Sequence, residues 1–137
     1  MPLALSLPST LRRALQAEAQ RGAPNEVCGL LGGVQRGPLF QAACYMPVPN
    51  CAATPQMRFA MQPEAMVAAI LALQRAGYAL IGVYHSHPHS APVPSAVDIA
   101  EGAWQATPYL IIGYAATQPR LAAWLIEGRS FTHLALI

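Results

Sequence analysis

Two short apolar runs joined by a tight turn most constrain how this chain can fold. The first run is Cys28-Gly29-Leu30-Leu31-Gly32-Gly33, the second covers Leu39–Met46, and Arg36-Gly37-Pro38 lies between them. Apolar runs of this length, bounded by glycine and proline, are typical of a β-hairpin. The chain is therefore expected to form an antiparallel pair of strands, and its remaining segments must extend or cover that pair.

Helical patterns lie on both sides of the hairpin. The spacing of Leu11, Ala14 and Leu15 predicts a helix over residues 8–20. A second helix is predicted from Pro63 to Gly77, because proline suits a first turn and glycine suits the left-handed residue after a last turn. This helix is apolar nearly all round, so we expect it to be covered on more than one side. Its predicted inward residues are Met66, Val67, Ile70, Leu71 and Leu73.

The second half of the chain contains an apolar segment that ends in two histidines. Ala79–His87 is predicted to form a strand, and successive strand side chains point to opposite sides of a sheet. A proline-rich loop follows, and a third helix is predicted from Ser95 to about Gln105. The residues expected to share one face of the strand are Ile81, Val83, His85 and His87.

Three further strands are predicted to close the fold, at Tyr109–Tyr114, Leu121–Glu127 and Phe131–Ile137. Helices interspersed with hairpin-like strands imply an α/β protein with a mixed sheet. A typical domain has roughly 100–200 residues, so we expect residues 1–137 to form a single domain.

Composition excludes several classes of protein. Hydrophobic residues make up 54% of the chain and charged residues 10%, which argues against disorder. The basic residues are all Arg and the net charge is only +2, too little for a protein that binds nucleic acid through its phosphates. Prolines and polar residues interrupt the longer apolar stretches, so no membrane span is expected. The N-terminus has no basic region before its short apolar run, which favours a cytoplasmic protein.

The cysteines Cys28, Cys44 and Cys51 are odd in number and lack the paired C-x₂-C spacing of a structural zinc site. This pattern disfavours both a disulfide framework and a zinc knot. We expect buried, reduced cysteines, because a free cysteine usually behaves as a small hydrophobic residue.

The segment from His85 to Asp98 carries the most specific chemical signal. Two imidazoles at positions i and i+2 of a strand can share one metal, and Asp98, the only Asp in the chain, can complete a set of three ligands. Three N/O ligands with a fourth position open to water are typical of catalytic zinc, which lowers the pKa of its bound water to about 7. Each residue also has an ordinary interpretation. Ser95-x-x-Asp98 matches a helix-capping pattern, and a histidine on an apolar strand is usually a core residue.

This segment resembles the JAMM motif of the JAB/MPN metallopeptidase family, which is H-x-H-x₇-S-x₂-D with an upstream Glu. His85, His87, Ser95 and Asp98 match the motif without a gap. The similarity extends over roughly residues 8–115 and includes E-x-C-G-L-L-G-G at Glu26 and a Pro/Asn loop followed by Met-Arg-Phe. It implies the JAB/MPN (cytidine-deaminase-like) fold, with a mixed curved β-sheet and flanking helices.

The resemblance also implies a role for each matching residue. His85, His87 and Asp98 would hold Zn²⁺, Glu26 would be the general base, and Ser95 would donate a hydrogen bond to the water or the oxyanion. Other polar residues of the region have ordinary interpretations: His89 is expected to be a loop residue, His133 to be structural, and Ser86 to point to the opposite face with no nucleophilic role.

In the family, substrates end in the Gly-Gly tail of ubiquitin-like proteins. The resemblance thus implies a zinc-dependent peptidase or isopeptidase acting on sulfur-carrier proteins of the ThiS/MoaD type. The alternative is a non-catalytic MPN-type scaffold that binds partners without metal, and low basic charge disfavours a DNA-associated or phage-tail module. With so few charged residues, we also expect exposed apolar surface, which a homodimer or a groove for the carrier protein would cover.

Overall fold

The structure, a computed structural model, describes residues 3–100, 104–115 and 118–137. Within these residues no helix is long and apolar enough to cross a membrane. The elements in chain order are β1 (Ala4–Ser6), α1 (Ser9–Gly22), β2 (Cys28–Arg36), β3 (Leu39–Val48), α2 (Pro63–Arg75), β4 (Ala79–Ser86), α3 (Ala96–Ala100), β5 (Pro108–Ala115), β6 (Gln118–Glu127) and β7 (Ser130–Leu136).

The strands of the described residues form one closed, mixed sheet in the order β1-β3-β2-β4-β5-β6-β7. The predicted hairpin of β2 and β3 is confirmed, and its turn places Gly37 at a φ of 58°. Three pairs are parallel, β1 with β3, β1 with β7 and β4 with β5, while the other neighbours are antiparallel. The sequence analysis missed β1, which closes the sheet, because three residues are too few to show a periodic pattern.

The two longer helices pack on different apolar clusters. Leu15 and Ala19 of α1 pack with Leu31, Leu110 and other residues in one cluster. Ala69 and Leu73 of α2 join a second cluster. Ile81 and Tyr84 of β4 belong to the first cluster and Val83 to the second, so the middle of this strand lies between two apolar layers.

The outer face of α2 differs from the prediction. Met66, Ile70 and Leu73 do pack inward, but Val67 is 51% exposed and Leu71 is 43% exposed. Residues spaced i, i+3 and i+4 form one face of a helix, and only one such face of α2 contacts the sheet. The expectation that this helix is covered on more than one side is therefore wrong within the described chain.

A β-bulge moves Ile81 to the face opposite that predicted. In the pairing of β2 with β4, Leu31 lies opposite Gly82 while Gly32 lies opposite Leu80, so Ile81 is the extra residue. An extra residue reverses the alternation of side chains on one side of the bulge. Ile81 therefore packs in the α1 cluster, although Val83 packs in the α2 cluster as expected.

Two other predictions need correction. The third helix was expected to reach about Gln105, but Gln105 lies in a turn. The structure describes α3 over Ala96–Ala100, and residues 101–103 lie outside the described residues. Of the three free cysteines, only Cys28 is buried; Cys44 is half-buried and Cys51 is exposed. Burial raises the pKa of the Cys28 thiol to about 12, which keeps it protonated.

We predict that α2 responds very differently to truncation on its two sides. Leu73→Ala should lower the free energy of unfolding by about 2–5 kcal/mol because Leu73 is buried, whereas Leu71→Ala should cost less than about 1 kcal/mol. Urea denaturation of both variants measures this difference. Equal losses would mean that the outer face is covered in solution, as in a homodimer.

Candidate metal centre

The C-terminal end of β4 brings two histidines onto one face of the sheet. β4 lies between β2 and β5, with Cys28 and Ile111 on either side of His85. The backbone N–H of His87 donates to the carbonyl of Ile112, which continues the parallel pairing by one residue. Both rings are buried, and their Nε2 atoms lie 3.1 Å apart. The predicted convergence of the two histidines is confirmed.

Asp98 reaches this pair from the first turn of α3. Its Oδ1 lies 3.1 Å from Nε2 of His85, and its Oδ2 lies 3.0 Å from Nε2 of His87. The three residues are buried and form a group that could hold a metal ion. Four ligands around zinc at about 2.0 Å would lie roughly 3.3 Å from one another, so the spacing of these three atoms fits a tetrahedral metal site.

Ser95 and Asp98 cap α3 reciprocally. The backbone N–H of Ser95 donates to Oδ2 of Asp98 at 2.9 Å, and the backbone N–H of Asp98 donates to Oγ of Ser95 at 3.1 Å. The capping interpretation is therefore correct, yet it does not compete with the metal interpretation. The cap orients the carboxylate toward the histidines, and the Ser95 hydroxyl hydrogen remains available to a further acceptor.

The loop between His87 and α3 is fixed to β5 and β6. Nε1 of Trp124 donates to the carbonyl of Pro92 at 3.0 Å. The loop backbone at Pro92 lies so close to Gly113 that a Cβ there would collide with it. This contact sets the position of the Ala91 carbonyl, which lies 3.1 Å from Nδ1 of His87.

That carbonyl fixes the tautomer of His87. A carbonyl can only accept, so Nδ1 carries the hydrogen and the lone pair of Nε2 faces Asp98. Burial alone would lower the pKa of His87, but the hydrogen bonds to Asp98 and Ala91 outweigh burial and raise it. Nε2 of His87 and Oδ2 of Asp98 are then two acceptors 3.0 Å apart, and they require a cation between them, either a proton or a metal ion. The chemistry of this donor set therefore fits a metal ion that competes with a proton.

Ring contacts, rather than a second hydrogen bond, orient His85. Phe59 stacks on its ring with centroids 4.4 Å apart and planes 23° apart, and Tyr109 approaches edge-on at 6.5 Å. Nδ1 of His85 has no hydrogen-bond partner among the residues that the structure describes. Burial lowers the pKa of His85, which favours the neutral ring that metal binding requires.

The carboxylate of Asp98 is held in its ionised form. Burial alone would raise its pKa, but the hydrogen bonds with His85 and His87 outweigh this and hold the pKa of Asp98 far below its ordinary value. The cluster therefore presents one anion and two imidazoles, the N/O set that zinc accepts.

Glu26 lies next to this cluster. Cys28 is opposite His85 and Val27 exchanges hydrogen bonds with Ser86, so the register places Glu26 across from His87. Glu26 is 7% exposed, and its charge contributes to the raised pKa of His87. All five predicted site residues are thus brought to one end of β4.

The remaining polar residues behave largely as expected. Oγ of Ser86 accepts from the backbone N–H of Val27 at 2.8 Å, which is a structural role on the face away from the cluster. His89 is exposed in the loop, and His133 contacts Trp124 edge-on at 5.1 Å. The sequence analysis gave no role to Asn50 or to the ring of Phe59, since their partners are distant in sequence.

An apolar cavity of about 370 Å³ opens beside the cluster. The residues that line it include Phe59, Met61, Met66, Trp104 and Asp98. The cavity is therefore a space in which a chain segment could approach the candidate metal ligands.

With the geometry established, comparison with known proteins defines the class. The profile of a family described as prokaryotic homologs of the JAB domain matches residues 8–127, so the chain belongs to that family.

Two similar proteins have names that describe an enzymatic activity. The chain is 40% identical over 111 residues to a desampylase from Haloferax volcanii, covering 78% of each chain. It is 35% identical over 111 residues to a probable TtuB-protein conjugate cleaving protease from Thermus thermophilus, covering 81% of this chain and 71% of that one. These names indicate that the chain is a hydrolase.

Solved structures support the fold. A solution structure of a protein from Desulfitobacterium hafniense matches with a TM-score of 0.88 and 28% identity, covering 97% of this chain and 91% of that one. A JAB1/MPN domain protein from Archaeoglobus fulgidus matches with a TM-score of 0.60 and 17% identity, covering 99% and 98% of the two chains. The predicted α/β fold with a mixed sheet and flanking helices is therefore confirmed.

We predict that Asp98→Ala weakens binding of a divalent metal by more than about 100-fold, since even changes outside the ligand set cost about 10–100-fold. His89→Ala is the matched control, because His89 is exposed in the same loop and outside the cluster. Competition titration with Zn²⁺ and a chromophoric chelator measures both affinities. Unchanged affinity in Asp98→Ala would remove this residue from the ligand set.

Proposed function

We propose that this chain is a zinc-dependent peptidase or isopeptidase. It hydrolyses the amide bond after the C-terminal Gly-Gly of a ubiquitin-like sulfur-carrier protein of the ThiS/MoaD type. The observation that carries this proposal is the buried triangle of His85, His87 and Asp98, in which the Ala91 carbonyl aims one imidazole lone pair at a carboxylate. Relatives named as a desampylase and a conjugate cleaving protease support the substrate class.

His85, His87 and Asp98 are the proposed zinc ligands. When bound, zinc supplies Lewis acidity and a water that loses its proton near neutral pH, with a pKa of about 7. The protein's contribution is to aim the Nε2 atoms of both imidazoles at one point and to keep the carboxylate ionised. The burial of all three residues also limits competition from bulk water.

Glu26 is the proposed general base. A carboxylate across from His87 can take a proton from the attacking water and return it to the leaving amine, and such transfers contribute about 10²–10⁴ in rate. Ser95 is the proposed hydrogen-bond donor to the carbonyl oxygen as it gains negative charge. Its Oγ already accepts from Asp98, so its own hydrogen is the one to donate. No acyl-enzyme is required.

The segment Arg58–Met61 is the proposed docking edge for the carrier tail. An extended peptide can add to such an edge through backbone hydrogen bonds. The stacking of Phe59 on His85 brings this edge directly beside the proposed ligands. Glycine has no Cβ, so a Gly-Gly tail can pass closer to the protein backbone than any other sequence.

The competing function is a non-catalytic MPN-type scaffold. The complete ligand set, with the tautomer of His87 fixed for metal binding, favours the enzyme.

We further propose that residues 1–137 form one metallopeptidase domain without nucleic-acid or membrane partners, and that a homodimer could cover Val67 and Leu71 of α2. The cytoplasmic location stays a prediction from sequence.

Glu26→Gln should retain zinc and the fold but lower kcat by about 10²–10⁴, because the amide keeps the shape and cannot accept a proton. Ser95→Ala should lower kcat by about 10²–10³, as for the loss of one oxyanion donor. Glu127→Gln, an exposed carboxylate on β6, is the control and should turn over normally. Metal analysis and single-turnover cleavage provide the readouts. Near-normal turnover by Glu26→Gln would assign the base to another group.

The substrate is tested with a sulfur-carrier protein extended by a short peptide after its Gly-Gly. We expect mass spectrometry to detect cleavage directly after the second glycine. Replacing both glycines with alanine should reduce the rate by more than about tenfold, since each added Cβ must fit a narrow channel. Equal cleavage of both carriers would contradict the proposed tail recognition, and absence of cleavage by a zinc-loaded protein would favour the scaffold.

A further inference from the structure

Asn50, in the loop between β3 and α2, uses its whole side-chain amide. Its Oδ1 accepts from the backbone N–H groups of Ala52 and Ala60, each at 3.0 Å. Its Nδ2 donates to the carbonyl of Glu26 at 2.9 Å and to the carbonyl of Arg58 at 3.1 Å. A primary amide has two hydrogens and two lone pairs on its oxygen, so every hydrogen-bonding position is satisfied.

The sequence separation between Asn50 and its hydrogen-bond partners is larger than in an ordinary turn. Only the bond from Ala52, two residues away, is the local pattern by which asparagine stabilises a turn. The other three partners lie eight, ten and 24 residues away in sequence. Asn50 therefore joins three separate backbone segments at one point.

One of these segments is the backbone of the proposed general base. The N–H of Glu26 donates to the carbonyl of Pro55 at 2.8 Å, while its carbonyl accepts from Asn50. Both backbone polar groups of Glu26 are thus bound to the same loop. Val27 is held on the other side, because it exchanges hydrogen bonds with Ser86 of β4.

Another segment is the proposed docking edge. The Arg58 carbonyl and the Ala60 N–H both turn toward Asn50. Successive residues of an extended segment direct their backbone groups to opposite sides, so those of Phe59 point away from Asn50. Among the described residues, none forms a hydrogen bond with the backbone of Phe59. The ring of this residue stacks on His85.

We infer that Asn50 is a positioning residue that holds the proposed base Glu26 and the proposed docking edge at Phe59 in one fixed geometry. This inference rests on the proposed function. One planar amide sets the distance between the group that moves the proton and the edge that holds the peptide.

Asn50→Asp removes the donor group that binds the carbonyls of Glu26 and Arg58. The aspartate keeps an oxygen to accept from Ala52 and Ala60 but replaces the donor with an oxygen facing two carbonyls. Asn25→Asp is the matched control, since Asn25 is exposed, adjoins Glu26 and undergoes the same change of charge. With the extended sulfur-carrier protein as probe, kcat should fall about 10–100-fold in Asn50→Asp, the scale expected for a displacement of about 1 Å, and should be normal in Asn25→Asp. Zinc content should be unchanged in both. A normal kcat in Asn50→Asp would overturn the inference.

A double variant separates positioning from general destabilisation. If Asn50 acts through Glu26, Glu26→Gln combined with Asn50→Asp should have nearly the same kcat as Glu26→Gln alone, because residues acting as a unit are not additive. Losses that multiply fully would show a merely structural role and overturn the inference.

Amide hydrogen exchange tests, without substrate, whether Asn50 holds these backbone segments together. In Asn50→Ala, the amides of Ala60 and Glu26 should exchange about tenfold or more faster, while that of Leu30 in β2 should be unchanged. The Glu26 amide bonds to Pro55 and not to Asn50, so its response reports the coupling. Unchanged exchange at both amides would overturn the inference. A wild-type protein that binds zinc and cleaves no conjugate would refute the proposed function, and the exchange result would still decide whether Asn50 links these segments.

Discussion

The antiparallel pairing of β2 with β4 is the constraint on which the site depends. Cys28 lies opposite His85 and Val27 exchanges hydrogen bonds with Ser86, so continuing this register places Glu26 across from His87. The bulge at Ile81 reverses the alternation of side chains on its N-terminal side. From Val83 onward the alternation is regular, so both histidines lie on the face of the sheet that packs against α2. A shift of the pairing by one residue would turn both histidines into the α1 cluster and away from Asp98. The register is therefore as important to the candidate site as the identity of its residues.

Electrostatics explains why these polar groups tolerate burial between apolar layers. A buried carboxylate is costly unless it is paired and hydrogen-bonded. Asp98 meets both conditions, since it contacts both imidazoles and accepts from the Ser95 N–H. The Ala91 carbonyl then restricts where the hydrogen of His87 can lie, and the remaining lone pairs converge on one point. A cation at that point is the arrangement that relieves repulsion between the acceptors.

Sequence was sufficient for what depends on local pattern. The hairpin follows from its apolar runs and the turn at Gly37, and the spacing of His85, His87 and Asp98 pointed to the cluster that could hold a metal ion. Features that depend on distant partners could not be predicted in this way. β1 exists only because β3 and β7 pair with it, and the bulge at Ile81 depends on β2. The exposure of Leu71 likewise depends on how much of α2 the sheet can cover, which its apolar sequence does not reveal.

The site combines two kinds of support. The proposed metal ligands lie on β4 and on the first turn of α3, where ladder hydrogen bonds and a reciprocal cap hold them. Glu26 precedes β2, and the docking edge lies in a loop, so neither has a regular element to fix it. For these two parts, side-chain hydrogen bonds replace the regularity of a helix or strand, and Asn50 supplies most of them. The proposed metal ligands are thus positioned by regular elements of the fold, whereas the proposed base and docking edge depend on a few side-chain hydrogen bonds from one loop.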